Sequence, residues 1–208
     1  MNRRLRLAEA RLYLVLEGRP PAGVLEAALR GGVDVVQLRD KDLADDELVR
    51  AAEPFRHACD ASGALFVLND RPELVAACRA DGVHVGQSDA SVEDARAHVG
   101  EELLVGLSIE TQEQLDAVAG ADYLGVGAVF ATPTKTESVA AGLELVRAAA
   151  ARVTIPWFAI GGIDLDNVAE VAAAGAPGVA VVRAIRDADD PEAAARRLRA
   201  ALGEPSST

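Results

Sequence analysis

Aromatic residues and cysteines are scarce in this sequence: 3% of its 208 residues are aromatic, and two, Cys59 and Cys78, are cysteines. Neither cysteine has a partner at metal-ligand spacing, which favours reduced thiols of a cytoplasmic protein over a disulfide or a zinc site. The basic N-terminus is followed by an apolar run of only five residues, Leu12–Leu16. That run is too short for a signal peptide or a membrane span, so we expect neither.

Positive charge is also in short supply, because 33 acidic residues outnumber 21 lysines and arginines and give a formal net charge of −12. Nucleic acids and anionic membranes bind basic surfaces, so the sequence predicts neither as a partner. Small molecules remain the expected partners, and a homo-oligomer is compatible with the sequence. Against this acidic background the cations Arg39, Lys41 and Lys135 stand out.

The chain alternates between short apolar runs and helical stretches. The apolar runs are rich in Val, Leu and Ile, as buried parallel strands are, and cover residues 12–16, 33–38, 64–68, 82–85, 103–107, 122–127, 155–160 and 178–182. The predicted helices cover residues 21–30, 44–61, 72–79, 91–99, 111–119, 141–151, 165–174 and 191–202. Ser91 and Asp164 are the predicted N-caps of two of them. This alternation favours parallel βα units joined by right-handed crossovers.

An internal repeat indicates the number of units. Similar short phrases lead into every second apolar run, and they end at Asp34, Asp81, Asp122 and Pro177. Each interval holds two βα units, and eight units close into a barrel. We therefore predict an α/β fold, a single (β/α)8 TIM barrel over residues 1–208 with 203–208 as a disordered tail. The alternative, an open doubly wound sheet, would need a glycine-rich turn after the first strand to bind a dinucleotide, and residues 17–21 do not form one.

Two carboxylates follow neighbouring strands, Asp70 after the third run and Asp89 after the fourth. In a barrel both would look into the same mouth, where enzymes of this fold place their chemistry. Mg²⁺ is commonly held by one or two carboxylates, with water and substrate phosphates completing its ligands. Each aspartate alone is more typical of a structural role, Asp70 in a turn and Asp89 at a helix cap. Paired, and with cations nearby, they predict a magnesium site.

Cations and an amide alternate at the end of the second run, where Gln37, Arg39 and Lys41 face one side of an extended segment. Arginine offers a fork for phosphate oxygens, and lysine offers a mobile charge. Lys135 lies in a loop, residues 128–140, that is long enough to fold over a ligand and exclude water. The alternatives are a solvated charged segment and an ordinary flexible loop.

Gly161 and Gly162 predict a second anion site, because they precede a helix start whose backbone amides can bind phosphate. The alternative is a tight turn that requires glycine. Ser108 ends the fifth run, and no base can be assigned to it from the sequence, so we expect it to donate a hydrogen bond to an anion. His84 lies within a strand, where we expect a satisfied core group or a group that supports a ligand-binding residue.

Six phrases, each at the end of a run, resemble the thiamine phosphate synthase family, and the resemblance covers roughly residues 12–185. They are Gln-Leu-Arg-Asp-Lys at 37–41, Asn-Asp-Arg at 69–71, Asp-Gly-Val-His-Val-Gly-Gln-Ser-Asp at 81–89, Gly-Leu-Ser at 106–108, Thr-Pro-Thr-Lys at 132–135 and Ala-Ile-Gly-Gly-Ile at 159–163. Members of the family join a hydroxymethylpyrimidine diphosphate to a thiazole phosphate and release diphosphate. The resemblance therefore implies a transferase of thiamine biosynthesis that uses Mg²⁺.

The resemblance also implies roles for individual residues. Asp70 and Asp89 would hold Mg²⁺ on the diphosphate. The groups that act in catalysis would be Arg39, Lys41, Ser108 and Lys135. The pyrimidine diphosphate would be bound by these four together with Gln37, Leu38, Asp40 and Asn69. The thiazole phosphate would be surrounded by Thr132, Pro133, Thr134, Gly162, Val182 and Arg183. The family commonly has serine where this chain has Arg183, so that position departs from the pattern.

Three other functions stay open on the sequence. A thiazole tautomerase paralogue would share the barrel and the thiazole phosphate pocket but would not need a diphosphate and metal site. An isomerase of phosphorylated sugars would want a general base at a strand end. A barrel that only binds a phosphorylated metabolite would need no catalytic group. The combination of Arg39, Lys41, Asp70, Asp89 and Lys135 favours the synthase over all three.

Overall fold

A computed structural model describes residues 2–131 and 141–203, and its eight parallel strands form a closed barrel. Each strand pairs with the next in the sequence, and the eighth pairs with the first. The strands are β1 (Leu12–Leu16), β2 (Val35–Leu38), β3 (Leu65–Asn69), β4 (Gly82–Val85), β5 (Leu104–Ile109), β6 (Tyr123–Val126), β7 (Trp157–Ile160) and β8 (Val179–Val181). The predicted (β/α)8 barrel is confirmed.

The helices lie between and around the strands. They are α1 (Arg3–Glu9), α2 (Val24–Arg30), α3 (Asp45–Ser62), α4 (Val75–Cys78), α5 (Val92–Val99), α6 (Gly142–Arg152), α7 (Val168–Ala173), α8 (Arg183–Arg186) and α9 (Pro191–Ala201). No described helix is long and apolar enough to cross a membrane. Both cysteines are free and buried, as predicted, and burial raises the pKa of the Cys59 thiol to about 12.

Two apolar clusters hold the barrel together, and alternation along each strand separates them. The larger cluster lies between the strands and the helices. The smaller fills the barrel interior, where both tyrosines of the chain, Tyr13 and Tyr123, pack against Phe158. This packing requires glycine at position 106, because a Cβ there would lie 2.2 Å from the Tyr123 ring. Three of the seven aromatic residues thus fill the barrel interior, while Phe55, Phe66 and Trp157 belong to the larger cluster.

Aspartates of the internal repeat close the amino-terminal ends of the strands in the same way three times. Asp34 precedes β2 and accepts the amide of Leu12 in β1 at 3.0 Å. Asp81 precedes β4 and accepts the amide of Phe66 in β3 at 2.9 Å. Asp122 precedes β6 and accepts an amide in β5. The fourth repeat has Pro177 before β8 and offers no carboxylate.

Each of these aspartates also binds an arginine of a helix, and for Asp81 and Asp122 that helix leads into the preceding odd-numbered strand. Asp34 pairs with Arg199 of α9, Asp81 with Arg56 of α3, and Asp122 with Arg96 of α5. The carboxylate therefore connects two strands and a helix at one point. We refer to these three groups as the aspartate clamps.

Helix α1 closes the amino-terminal end of the barrel and was not predicted from the sequence. Its Leu7 is buried in the interior cluster, and its first turn bonds two of the clamps, Arg3 to Asp81 and Arg4 to Asp122. The helix has seven residues and buries only one of them, so it carries almost no periodic signal.

Two local predictions were wrong. Asp164 is not an N-cap, because its carboxylate accepts the amide of Asp166 in a turn, and α7 begins after Asn167. The predicted helix over 111–119 is a single 3-10 turn, Glu113–Asp116, since the Gln114 side chain takes up the amides before it. Ser91 does cap α5, through the amide of Asp94. Most of the predicted tail, residues 204–208, lies outside the described residues.

We predict that Asp81→Asn lowers the free energy of unfolding by about 3 kcal/mol, because Arg56, which is 8% exposed, loses its buried partner and keeps only the exposed carboxylate of Asp60. Burial acts to raise the pKa of Asp81, but bonds from Arg56, the Phe66 amide and Arg3 outweigh it and lower that pKa. The stabilisation is therefore present above the ordinary aspartate pKa and is lost as the pH falls below about 4.

Denaturant unfolding at pH 7 and at pH 3 measures both effects. Asp46→Asn is the control, since Asp46 forms an exposed pair with Arg50 and should change the free energy of unfolding by less than about 0.5 kcal/mol. Equal stability of the Asp81 and Asp46 variants at pH 7 would contradict the role of the clamp.

Candidate active site

A cavity of about 770 Å³ opens at the carboxyl ends of the strands. Its size is typical of a pocket for a drug-sized ligand. Residues from or just after every strand line it, because parallel strands in a closed barrel all end at the same face. The polar residues that end β2 to β5 form one side of its wall, and the loops after β7 and β8 form the opposite side.

Cations lie at the β2 side of the cavity. Arg39 continues the strand ladder, with its amide donating to the Leu16 carbonyl at 2.8 Å, so its side chain starts at the cavity edge. Lys41 is exposed, and its Nζ lies 3.7 Å from the Asp70 carboxylate. Asn69 ends β3 and lines the same wall. This side of the cavity therefore offers two cations and an amide to an anionic ligand.

The two predicted metal-binding aspartates face each other. Burial raises the pKa of Asp70, and the adjacent Asp89 carboxylate raises it further, while Lys41 and Arg39 only partly offset these effects. Asp89 is held in place by the Gly86 amide, which donates to its Oδ2 at 2.9 Å. The two carboxylates therefore lie close enough for one to raise the pKa of the other.

The backbone at Asp70 is strained. Asp70 has φ of 54° and the following Arg71 has φ of 49°, both in the left-handed region that few residues other than glycine adopt. Arg71 is fixed there by its bond to the Leu43 carbonyl, and the Asp70 amide donates to the His84 carbonyl at 2.8 Å. Strain of this kind concentrates at functional sites, where surrounding contacts impose it.

A chain of hydrogen bonds crosses the barrel beneath the cavity. Gln37 donates to the Tyr13 hydroxyl at 2.8 Å, which lies 3.0 Å from the Tyr123 hydroxyl. That hydroxyl lies 3.2 Å from Nδ1 of His84, and Nε2 of His84 lies 3.0 Å from Oγ of Ser108. The prediction that His84 is a satisfied group is confirmed. The chain fixes the orientation of Gln37 and Ser108, its two ends in the cavity.

The side of the cavity that follows β7 and β8 contains a glycine turn and a short helix. Gly161 and Gly162 have φ of 106° and 65°, and a Cβ at Gly162 would lie 2.8 Å from Phe130. They do not precede a helix directly, contrary to the prediction, because α7 begins only at Val168. Helix α8 begins instead at Arg183, after Val182. Loops after the last two strands and a short extra helix often form the phosphate site of such barrels.

The structure brings most of the predicted site residues together in this one cavity. Those that line it are Gln37, Arg39, Lys41, Asn69, Asp70, Asp89, Ser108, Gly162, Val182 and Arg183. Leu38 does not, because it points outward and is buried among the helices. Asp40 does not either, since its carboxylate accepts the amides of Gly18, Asp42 and Leu43. The remaining predicted residues, Thr132, Pro133, Thr134 and Lys135, lie outside the described residues.

Sequence reasoning missed the aromatic floor of the cavity, formed by Tyr13, Tyr123 and Phe158. Their positions within apolar runs indicate only burial. The available signal was polarity, since Tyr13 and Tyr123 are the only tyrosines of the chain and a buried tyrosine hydroxyl usually needs a partner.

A closed (β/α)8 barrel with paired carboxylates and cations on one side of its mouth, and a glycine turn on the other, defines a protein class. It is the class of barrel proteins that bind phosphorylated small molecules at the carboxyl ends of their strands. Paired carboxylates with cations indicate that one of the bound groups is strongly anionic.

Comparison with known proteins identifies the family. The model of the thiamine monophosphate synthase family matches residues 12–185, so the chain belongs to that family and is a transferase. The chain is 50% identical to thiamine-phosphate synthase of Thermobifida fusca, over 96% of this chain and 95% of the relative. It is 44% identical to the Arthrobacter sp. enzyme of the same name, over 97% and 98%. The structure of thiamine phosphate pyrophosphorylase from Pyrococcus furiosus is similar, with a TM-score of 0.86 and 33% identity over 95% and 97% of the two chains.

We predict that Tyr123→Phe lowers the free energy of unfolding by about 1–2 kcal/mol, because it removes the hydroxyl that links Tyr13 to His84 deep in the barrel. The ring remains, so the packing against Phe158 is kept. Urea unfolding measures the change. If the slope of the unfolding free energy against urea concentration is the same for both proteins, both expose the same surface on unfolding. An unchanged midpoint would contradict the prediction.

Proposed function

We propose that this protein joins a hydroxymethylpyrimidine diphosphate to a thiazole phosphate, forming thiamine phosphate and diphosphate. The observation that carries the proposal is the placement of two anion-handling regions across one cavity. Asp70 follows β3 and Gly161 follows β7, and strands four positions apart lie opposite each other in a barrel of eight. Two phosphorylated substrates can therefore enter with their anionic groups apart and their reacting atoms in the middle.

The diphosphate is proposed to bind on the β2–β4 side. The donor set there fits Mg²⁺, since Asp70 and Asp89 are hard oxygen ligands whose proximity raises the pKa of Asp70, and Mg²⁺ needs only one or two carboxylates. When bound, Mg²⁺ would neutralise charge on the leaving diphosphate. Arg39 and Lys41 supply further positive charge, and Asn69 can donate to a phosphate oxygen.

The thiazole phosphate is proposed to bind on the β7–β8 side. The Gly162 amide donates no hydrogen bond to any described residue, and it lines the cavity beside Val182 and Arg183. Arg183 is exposed at the mouth, where its guanidinium can reach a phosphate and replace the serine common in the family. Thr132, Pro133 and Thr134 are proposed to complete this wall, and Lys135 to bind the pyrimidine diphosphate, as the family resemblance implies.

The reaction needs positioning and charge stabilisation rather than a base. The bond between the pyrimidine methylene carbon and the diphosphate oxygen breaks, and its electron pair leaves with the diphosphate. The lone pair of the thiazole nitrogen forms the new carbon–nitrogen bond, so the thiazole ring becomes cationic and no proton moves. Arg39 and Lys41 stabilise the charge that develops on the leaving group, and the aromatic floor excludes water from the reacting carbon.

Two further residues are proposed to position these groups. The Asp40 carboxylate holds the segment that carries Arg39 and Lys41, through the amides of Gly18 and Leu43. His84 orients the Ser108 hydroxyl toward the cavity.

The reduced cysteines support a cytoplasmic location for this reaction.

We predict that purified protein given both substrates and Mg²⁺ forms thiamine phosphate, and that Asp70→Asn lowers the rate at least about 100-fold, because charge stabilisation on the leaving group is lost. Oxidation of the product to a fluorescent thiochrome measures the rate. Addition of EDTA should abolish product formation as well.

Asp46→Asn is the matched control, since it changes an aspartate on the exposed face of α3 and should keep full activity. A folded protein that forms no product with Mg²⁺ would contradict the proposal and favour the tautomerase or a binding role. Full activity of Asp70→Asn would contradict the proposed metal site but not the proposed reaction.

We predict that Arg183→Ala raises the KM for the thiazole phosphate about tenfold and leaves kcat nearly unchanged, because a charged hydrogen bond to a non-reacting phosphate is lost in ground and transition state alike. Steady-state kinetics with each substrate varied in turn measures the effect. The KM for the pyrimidine diphosphate should not change. Arg197→Ala, at an exposed position of α9, is the control. An unchanged KM would show that the Arg183 side chain is not a ligand.

A further inference from the structure

A second cavity, of about 520 Å³, lies at the opposite end of the barrel from the candidate active site. It opens between α1, α3 and the amino-terminal ends of β3 and β4, beside the Asp81 clamp. Four arginines line it: Arg3 and Arg6 from α1, Arg56 from α3 and Arg79 after α4. None of these residues contributes to the site described above.

We propose that this cavity, which we call the basal cavity, binds a small polyphosphate anion, of which inorganic diphosphate is the simplest member. The proposal does not depend on the function assigned to the active site. It rests on the charge of the basal cavity, on its unused hydrogen-bond donors and on the chemistry of its walls.

The charge of the basal cavity runs against that of the protein. Four arginines face only two carboxylates, those of Asp60 and Asp81, while the chain as a whole carries a net charge of −12. Both carboxylates are already engaged by Arg56, and Asp81 also binds Arg3. A surplus of positive charge therefore remains in one open cleft, where a compact anion can neutralise it.

The donors that face this space are largely unused. Arg79 is exposed, and its guanidinium has no hydrogen-bond or ion-pair partner among the described residues. Arg6 uses one nitrogen, on the Gly63 carbonyl, and Arg3 uses its Nε on Asp81. Arg56 is nine-tenths buried and already bonds Asp60, Asp81 and the Arg79 carbonyl, so the unused donors that face this space belong to Arg3, Arg6 and Arg79. Phosphate oxygens accept such N–H groups, often in pairs.

The residues that line the basal cavity favour some anions over others. No aromatic residue lines the described wall of the basal cavity, so a nucleotide base would find no stacking partner. Arginines from α1 and from the end of α4 approach from different elements, which suits an anion with more than one phosphoryl group. Such an anion would contact both α1 and the amino-terminal ends of β3 and β4. It would therefore stabilise the packing of α1 against the barrel.

Isothermal titration calorimetry with inorganic diphosphate, in the presence of EDTA, tests the proposal on the full chain. The background variant Arg39→Gln weakens binding at the active site, so the remaining heat reports the basal cavity. In that background Arg79→Gln should weaken diphosphate binding about tenfold, as expected for one lost charged hydrogen bond. Arg197→Gln, which removes an equally exposed arginine on α9, should change the affinity less than twofold.

Diphosphate should also raise the unfolding temperature of Arg39→Gln, and Arg79→Gln should remove that increase. Arg6→Gln provides an independent second variant that decides the question if Arg79→Gln does not fold. Equal affinity of the Arg79 and Arg197 variants would overturn the proposal, as would loss of all binding in Arg39→Gln alone. Sulfate binding as tightly as diphosphate would overturn the assignment to polyphosphates.

Discussion

A carboxylate shared by two strands and a helix is the interaction on which the rest of this barrel depends. Each aspartate clamp accepts an amide at the start of one strand, precedes the next strand and binds an arginine of a helix packed against them. Amides at strand ends have no ladder partner there, so the carboxylate satisfies groups that would otherwise be buried at a cost. Because three clamps occur at alternate strands, they set the register of most of the sheet from its amino-terminal end.

This arrangement separates stability from chemistry. At the amino-terminal end, opposite charges are paired, and the pKa of Asp81 is lowered as a result. At the carboxyl end, Asp70 and Asp89 repel each other, the pKa of Asp70 is raised, and the backbone at Asp70 lies in the left-handed region. The second arrangement is unfavourable in itself, and a barrel stabilised at its other end can tolerate it.

Two sequence features carried the predictions of the fold and of the candidate site: the internal repeat and the polar residues that follow the apolar runs. The phrases ending at Asp34, Asp81 and Asp122 indicated eight units, and the polar residues after each apolar run indicated the cavity wall. Helix α1 was not predicted, because Leu7 is its only buried residue and the helix therefore shows no apolar periodicity. The proximity of His84 to Ser108 also escaped, since these residues lie 24 positions apart and meet only because β4 pairs with β5 in register. Asp40 was predicted to bind a ligand, but its side chain accepts amides of its own loop and of Gly18 in the loop after β1.

By itself the sequence determined the (β/α)8 architecture, the family and the side of the barrel on which the chemistry lies, because these follow from local periodicity and from motifs read along the chain. Only the tertiary structure decided which groups face each other: Asp70 against Asp89, the hydrogen-bonded chain from Gln37 to Ser108, and the arginines of the basal cavity. These contacts depend on strand register and barrel closure, which bring distant positions within a few ångströms. Distances of that kind are set by packing over the whole molecule and are not encoded in any local pattern.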